Sequence, residues 1–130
     1  MIRLLKLLIF LVVALIIASI IPSSIDMAER FLDNHSEKPW AATGYYQLAN
    51  HAYRVLQFER ALRIYRKALE KDPKNPFSPL AMFRIGVCYE KLRKYREAIR
   101  AYERFIRKYP KHYLAPQAEN SIRKLKELHR

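Results

Sequence analysis

The sequence predicts an all-α chain: an N-terminal single-pass transmembrane helix followed by a short solenoid of paired helices. Three observations carry this reading. Leu7 to Ile25 contain no charge and are dense in Leu, Ile and Val. Only two glycines occur in 130 residues, which suits helices and argues against a loop-rich or sandwich fold. And from Phe58 onward the chain says nearly the same thing twice. Phe58, Ala61, Tyr65, Ala68 and Pro73 are answered by Tyr95, Ala98, Tyr102, Phe105 and Pro110, each pair 37 positions apart. Upstream, Tyr45, Leu48 and Ala49 are answered by Met82, Ile85 and Gly86. A fixed period of this size marks a stacked helical repeat.

Residues 1–24 are the expected anchor. Arg3 and Lys6 precede the apolar run, which at about 1.5 Å per residue crosses most of a ~30 Å hydrocarbon core. The run has no polar face, unlike a helix half-buried in a soluble core. A cleaved signal peptide needs small residues at a set spacing. Ala18-Ser19-Ile20 and Ile21-Pro22-Ser23 fit poorly, so an uncleaved signal-anchor is expected. Arg3, Lys6 and the amino terminus lie on one side of the run, Arg30 and Lys38 on the other. This balance slightly favours a cytoplasmic N-terminus and a repeat domain on the outer, periplasmic side of the cytoplasmic membrane. Residues 25–39 read as a linker. Ser24 is placed to cap a short helix through Phe31 or Leu32, which could equally extend the anchor past the membrane, and Asp33-Asn34-His35-Ser36 and Pro39 break it. Its acids, Asp26, Glu29, Asp33 and Glu37, are set against Arg30 and Lys38.

The repeat domain takes residues 40–130, with repeat 1 at about 42–75, repeat 2 at about 79–112 and a capping helix at about 116–129. Ala61, Tyr65 and Ala68 fall at i, i+4 and i+7, on one helix face. Small residues there admit a neighbouring helix, and the aromatic fills the space beside them. Gln57 marks the turn within the first repeat, and Pro73 and Pro110 stop the second helices. Pro79 opens the next helix, with Ser78 placed to cap it. The period runs on through Pro116 and Ile122, but Glu119, Arg123 and Lys126 replace Met82, Gly86 and Tyr89. A terminal repeat needs such a polar outer face, because nothing stacks beyond it.

The second copy, Met82, Ile85, Gly86, Tyr89, Ala98, Tyr102, Phe105 and Pro110, resembles the tetratricopeptide repeat (TPR). The first copy follows it through Tyr45, Leu48, Ala49, Ala61, Tyr65, Ala68 and Pro73, with Ala52 where a tyrosine is usual. Asn75-Pro76-Phe77-Ser78 lengthens the period beyond the family's roughly 34 residues. Ser78-Pro79-Leu80-Ala81 and Leu114-Ala115-Pro116-Gln117-Ala118 resemble the repeats of periplasmic, cell-envelope TPR proteins. The resemblance implies a concave groove for a partner segment. Its matching positions are Tyr46, Asn50, Tyr53 and Arg54, then Phe83, Val87 and Lys91, with Thr43, Leu80 and Glu90 beside them. Asn50 and Arg54 would take a peptide backbone and a carboxylate. Tyr46 and Phe83 would serve as aromatic anchors or else pack against the linker or anchor helix.

No enzymatic chemistry is expected. His35, His51, His112 and His129 are scattered without metal-ligand spacing, and Gly44 and Gly86 cannot build a phosphate loop. The single Cys88 excludes an internal disulfide and reads as a packed thiol. No cofactor or metal is called for. The net charge of +13 lies wholly in residues 40–130. Arg63, Lys67, Lys71 and Lys74 recur one period later as Arg100, Arg104, Lys108 and Lys111, a basic stripe along the second helices. Beside an anchor, such a stripe attracts anionic lipid headgroups. Two functions follow. One is a membrane-anchored protein-interaction module or scaffold, with self-association open because the stack is short. The other is a polyanion binder, through nucleic acid or an anionic surface. Against nucleic acid stands the absence of an aromatic ladder or known motif.

Overall fold

The computed structural model describes residues 1–129 and is helical throughout: α1 (Ile2–Asn34), α2 (Ala41–Arg54), α3 (Phe58–Lys71), α4 (Ser78–Lys91), α5 (Tyr95–Lys108) and α6 (Ala115–Leu128). Helices α2 to α6 are each 14 residues long. Those that open a repeat begin at Ala41, Ser78 and Ala115, and those that close one at Phe58 and Tyr95. The period of the side chains is thus also the period of the backbone.

The turns repeat as faithfully. Leu56 and Arg93 hold φ of 64° and 59°. The Gln57 and Lys94 N–H groups reach back to the Ala52 and Tyr89 carbonyls at 2.9 and 2.8 Å. This is a Schellman ending, in which a left-handed residue lets orphan carbonyls of the last helical turn be satisfied. Glycine is the usual occupant, so two bulky residues here accept some strain.

The core is built from the alternation of small residues and rings. Ala49, Ala52, Ala61, Tyr65 and Ala68 are fully buried, as are Ala98, Tyr102 and Phe105 in the second repeat. Phe83 meets Tyr102 and Phe105 at ring-centroid distances of 5.6 Å each. The Tyr102 ring lies directly on the backbone of Gly86, where a Cβ would stand 2.6 Å from two ring atoms. Helix α6 buries Ala118 and Leu125 and leaves Glu119, Arg123 and Lys126 exposed, the polar outer face expected of a cap.

The N-terminal third forms one helix. No break separates the apolar run from the repeats: α1 continues through Pro22 to Asn34, as a helix extending the run past residue 24 would. Pro22 removes one bond of the helix ladder. Around it, Ser19 and Ser24 donate to the Ile16 and Ile21 carbonyls at 2.8 Å, so Ser24 braces this helix instead of capping a new one. Ile25, Glu29 and Leu32 are buried against the first repeat. The loop that follows is the inter-repeat loop. Lys38 and Ala41 N–H groups bond the His35 and Lys38 carbonyls, as Asn75 and Ser78 bond Asp72 and Asn75, and as His112 and Ala115 bond Tyr109 and His112. The last turns of α1 therefore occupy the place of a closing helix, and the stack begins half a repeat earlier than the aromatic pattern suggests.

Gly86→Ala should lower the unfolding free energy by about 1–2 kcal/mol, overpacking against the wedged Tyr102 ring outweighing the gain in helix propensity. Gly44→Ala, where the close atom is a rotatable Leu32 methyl group, should stay within about 1 kcal/mol of the parent. Urea unfolding of both variants in mild detergent, followed by circular dichroism, checks the difference.

Candidate partner interface

The strongest electrostatic feature lies between α1 and α3. Asp26, Glu29 and Asp33 sit at i, i+3 and i+7 on α1; Arg60, Arg63 and Lys67 sit at the same spacing on α3. Arg60 forks onto the Asp26 carboxylate at 2.9 and 3.0 Å. Arg63 does the same to Glu29 at 3.1 and 2.6 Å. Lys67 reaches Glu29 at 2.7 Å and Asp33 at 3.0 Å. Asp26, Glu29 and Asp33 therefore answer Arg60 together with Arg63 and Lys67 of the basic stripe, while Glu37 lies 3.9 Å from Lys38. Burial alone would raise the Glu29 carboxyl, but the bonds and charges of Arg63 and Lys67 outweigh it and hold the group below its ordinary 4.5. The Arg60 hydrogen bond likewise depresses Asp26. For Asp33 the bonds from Tyr45 and Lys67 overcome an opposing burial effect.

The stripe is thus split. Lys71 donates to the Ser36 carbonyl at 2.6 Å. Lys74 is exposed, as are Arg100, Arg104, Lys108 and Lys111, and none of these five makes an ion pair among the described residues. Lys108 rests over the Tyr109 ring at 5.6 Å. Arg66, Arg100 and Arg104 share a cleft of about 260 Å³ with Tyr89 and Glu97.

The groove positions divide in the same way. Tyr46 is fully buried, its hydroxyl 2.8 Å from the Asp72 carbonyl and 2.9 Å from Ser78 Oγ. Phe83 is buried in the second core cluster. Both are core rings, so neither stands on the groove surface as an anchor. Ser78, expected as a cap, is spent on this contact and makes no capping bond. Asn50 Oδ1 accepts from the Tyr65 hydroxyl at 2.6 Å and from Arg84 at 2.9 Å. Because both partners donate, the amide oxygen must face them. Arg84 also lies over the Tyr53 ring at 4.5 Å. Tyr102 donates to Glu90 at 2.8 Å. Tyr53 and Val87 are half-buried, and Arg54 and Lys91 are exposed. What the groove presents is therefore a polar floor from Asn50 to Arg84, with basic side chains along it.

A family model described as "Tetratricopeptide repeat" matches residues 46–113. The chain belongs to the tetratricopeptide repeat family. The TPR match covers α3, α4 and α5 with most of α2, and leaves α1 outside it. Comparison with curated proteins returns no match.

Arg84 and the acid row on α1 are the residues that sequence reading missed. The row was legible, since the two sets share one spacing and opposite charge. Arg84 carries no such signal, because its role depends on the fold bringing α4 against Asn50. Cys88 is fully buried, and burial pushes its thiol up to about 12, making it an inert packing group.

Carboxylates held below their ordinary range stabilise the folded state above that range, and the contribution is lost as pH falls through the folded values. Glu29→Gln should therefore lower stability by about 1–2 kcal/mol at neutral pH, the half-exposed partners limiting the loss. The gap to the parent should close as the solution is acidified below about pH 4.5. Urea midpoints across the acid range provide the check.

Proposed function

We propose that this TPR chain is a membrane-anchored protein-interaction module or scaffold of the cell envelope, with no catalytic role. One observation carries the anchor half: the apolar run, with mean hydropathy 3.1 in its most apolar window and no part of that window buried, is the same helix that forms the first layer of the stack. A soluble protein would leave that run's Leu, Ile and Val side chains in water at a large hydrophobic penalty. The interaction half rests on family membership and on the open positions Tyr53, Arg54, Val87 and Lys91 beside Arg84. These favour a partner segment that brings carboxylates or backbone carbonyls to the cationic floor. The apolar run spans the cytoplasmic membrane once, with the repeats on the outer side. A second copy of the chain is one candidate partner.

A second reading rests on the Arg66, Arg100 and Arg104 cleft, which no acid of α1 reaches. It makes the α5 face a polyanion binder. That reading requires affinity for random DNA or acidic polymer to fall steeply with salt.

Photo-crosslinkers placed at Arg54 and Lys91 in intact membranes should trap one discrete partner band that a crosslinker at Lys111 does not. Identical patterns from all three would remove the groove assignment. Protease added to sealed spheroplasts should digest the repeats; full protection would reverse the orientation.

A further inference from the structure

The unbroken course of α1 fixes which edge of the stack meets the bilayer. Its last turns take the place of a closing helix and run the same way as α3 and α5. The apolar run therefore leaves the stack at the edge where α3 and α5 begin. That edge consists of the two turns within the repeats, residues 54–57 and 91–94. Contact bears this out: Val55 and Gln57 line a cavity of about 410 Å³ with Ile17, Ala18 and Ile21, and the cavity extends down the run to Phe10. Ile21, at the end of the run, already packs on the core of the first repeat. No spacer lets the domain stand away from the membrane surface.

The chemistry of this edge suits that position. Leu56, held left-handed at the tip of the first turn, is 70% exposed. Arg54, Lys91, Arg93 and Lys94 surround the two tips, all exposed, and neither turn contains an acid. Glu59 and Glu97 stand exposed in the first turns of α3 and α5 beside these tips, outnumbered by the bases, and Glu90 is held by Tyr102. The opposite edge is mixed: its loops carry Glu37 and Asp72 along with Lys38, Lys74 and Lys111. An apolar tip ringed by basic side chains fits the boundary between headgroups and acyl chains, where the bases meet anionic phosphate and the leucine is withdrawn from water.

We infer that the turn edge, through Leu56, Arg93 and Lys94, docks on an anionic bilayer and keeps the TPR groove close to the membrane surface. This rests on the anchor reading above. It moves the lipid contact from the stripe on the second helices, where α1 neutralises Arg63 and Lys67, to the edge that the anchor itself brings down.

The test uses the full chain in vesicles of phosphatidylcholine with and without phosphatidylglycerol. A single reporter thiol is introduced as Leu56→Cys, Arg93→Cys or, on the opposite edge, Lys74→Cys, and labelled with an environment-sensitive fluorophore. Buried Cys88 stays unlabelled in the folded parent, which serves as the blank. The labels at Leu56 and Arg93 should shift to the blue and be quenched by nitroxide-bearing lipids. The quenching at Arg93 should deepen with phosphatidylglycerol, and the label at Lys74 should report water throughout. A Leu56 or Arg93 label that reads water and escapes quenching, in a chain that floats with the vesicles and resists alkaline extraction, overturns the docking while leaving the anchor intact. Extraction of the chain by alkali overturns the anchor reading and the docking with it.

Discussion

The Tyr102 ring can lie on the backbone of α4 only because Gly86 has no Cβ, and this close approach sets the geometry of the second repeat. A 14-residue helix in water is marginal by itself, so each helix here is held by its neighbours. Their separation is dictated by the smallest residue at the crossing. Alanine or glycine on one face and a ring on the next let α2 to α5 pack with fully buried tyrosines. The hydroxyls of those tyrosines then find partners at the edge of the core: Asp33, Asp72, Asn50 and Glu90. Three of these bonds tie one helix to another and the Asp72 bond ties α2 to the loop after α3, so the rings that fill the core also set the register of the stack.

Helix α1 joins an apolar run and a charged row on one continuous backbone. From Leu7 to Ile21 it carries no charge on any face, and its last turns carry a core stripe, Ile25 and Leu32, beside a charged row. The charged row does what a neighbouring repeat's apolar surface does elsewhere: it specifies the partner. Three acids meet three bases at one spacing, so a one-turn slip of α1 along α3 would strand one acid and one base at the ends of the row.

The all-α class, the 37-residue period, the two repeats and the polar cap were legible because each rests on side-chain size and polarity at helical spacing, which the fold cannot override. The half-repeat in α1 was hidden by expectation. Ile25, Leu62 and Ile99, like Leu32, Leu69 and Ile106, also stand 37 apart. However, Ala28 takes the place of Tyr65 and Tyr102, so the aromatic signature is missing exactly where the run of apolar residues draws attention away. The groove was harder to read. Tyr46 and Phe83 occupy positions that the TPR resemblance assigns to the groove, but here Phe77 and Tyr102 lean on them and draw them into the core. Arg84 fills part of the vacated surface, and nothing local in the sequence says that it will.

The lack of a joint between α1's apolar run and its charged row has a mechanical consequence. With the run in a bilayer, a thicker or thinner membrane changes the tilt of a helix that matches it. Because Ile21, Ile25 and Leu32 are all packed on the repeats, the stack must turn with the helix. The attitude of the groove then becomes a readout of bilayer thickness, transmitted as by a lever.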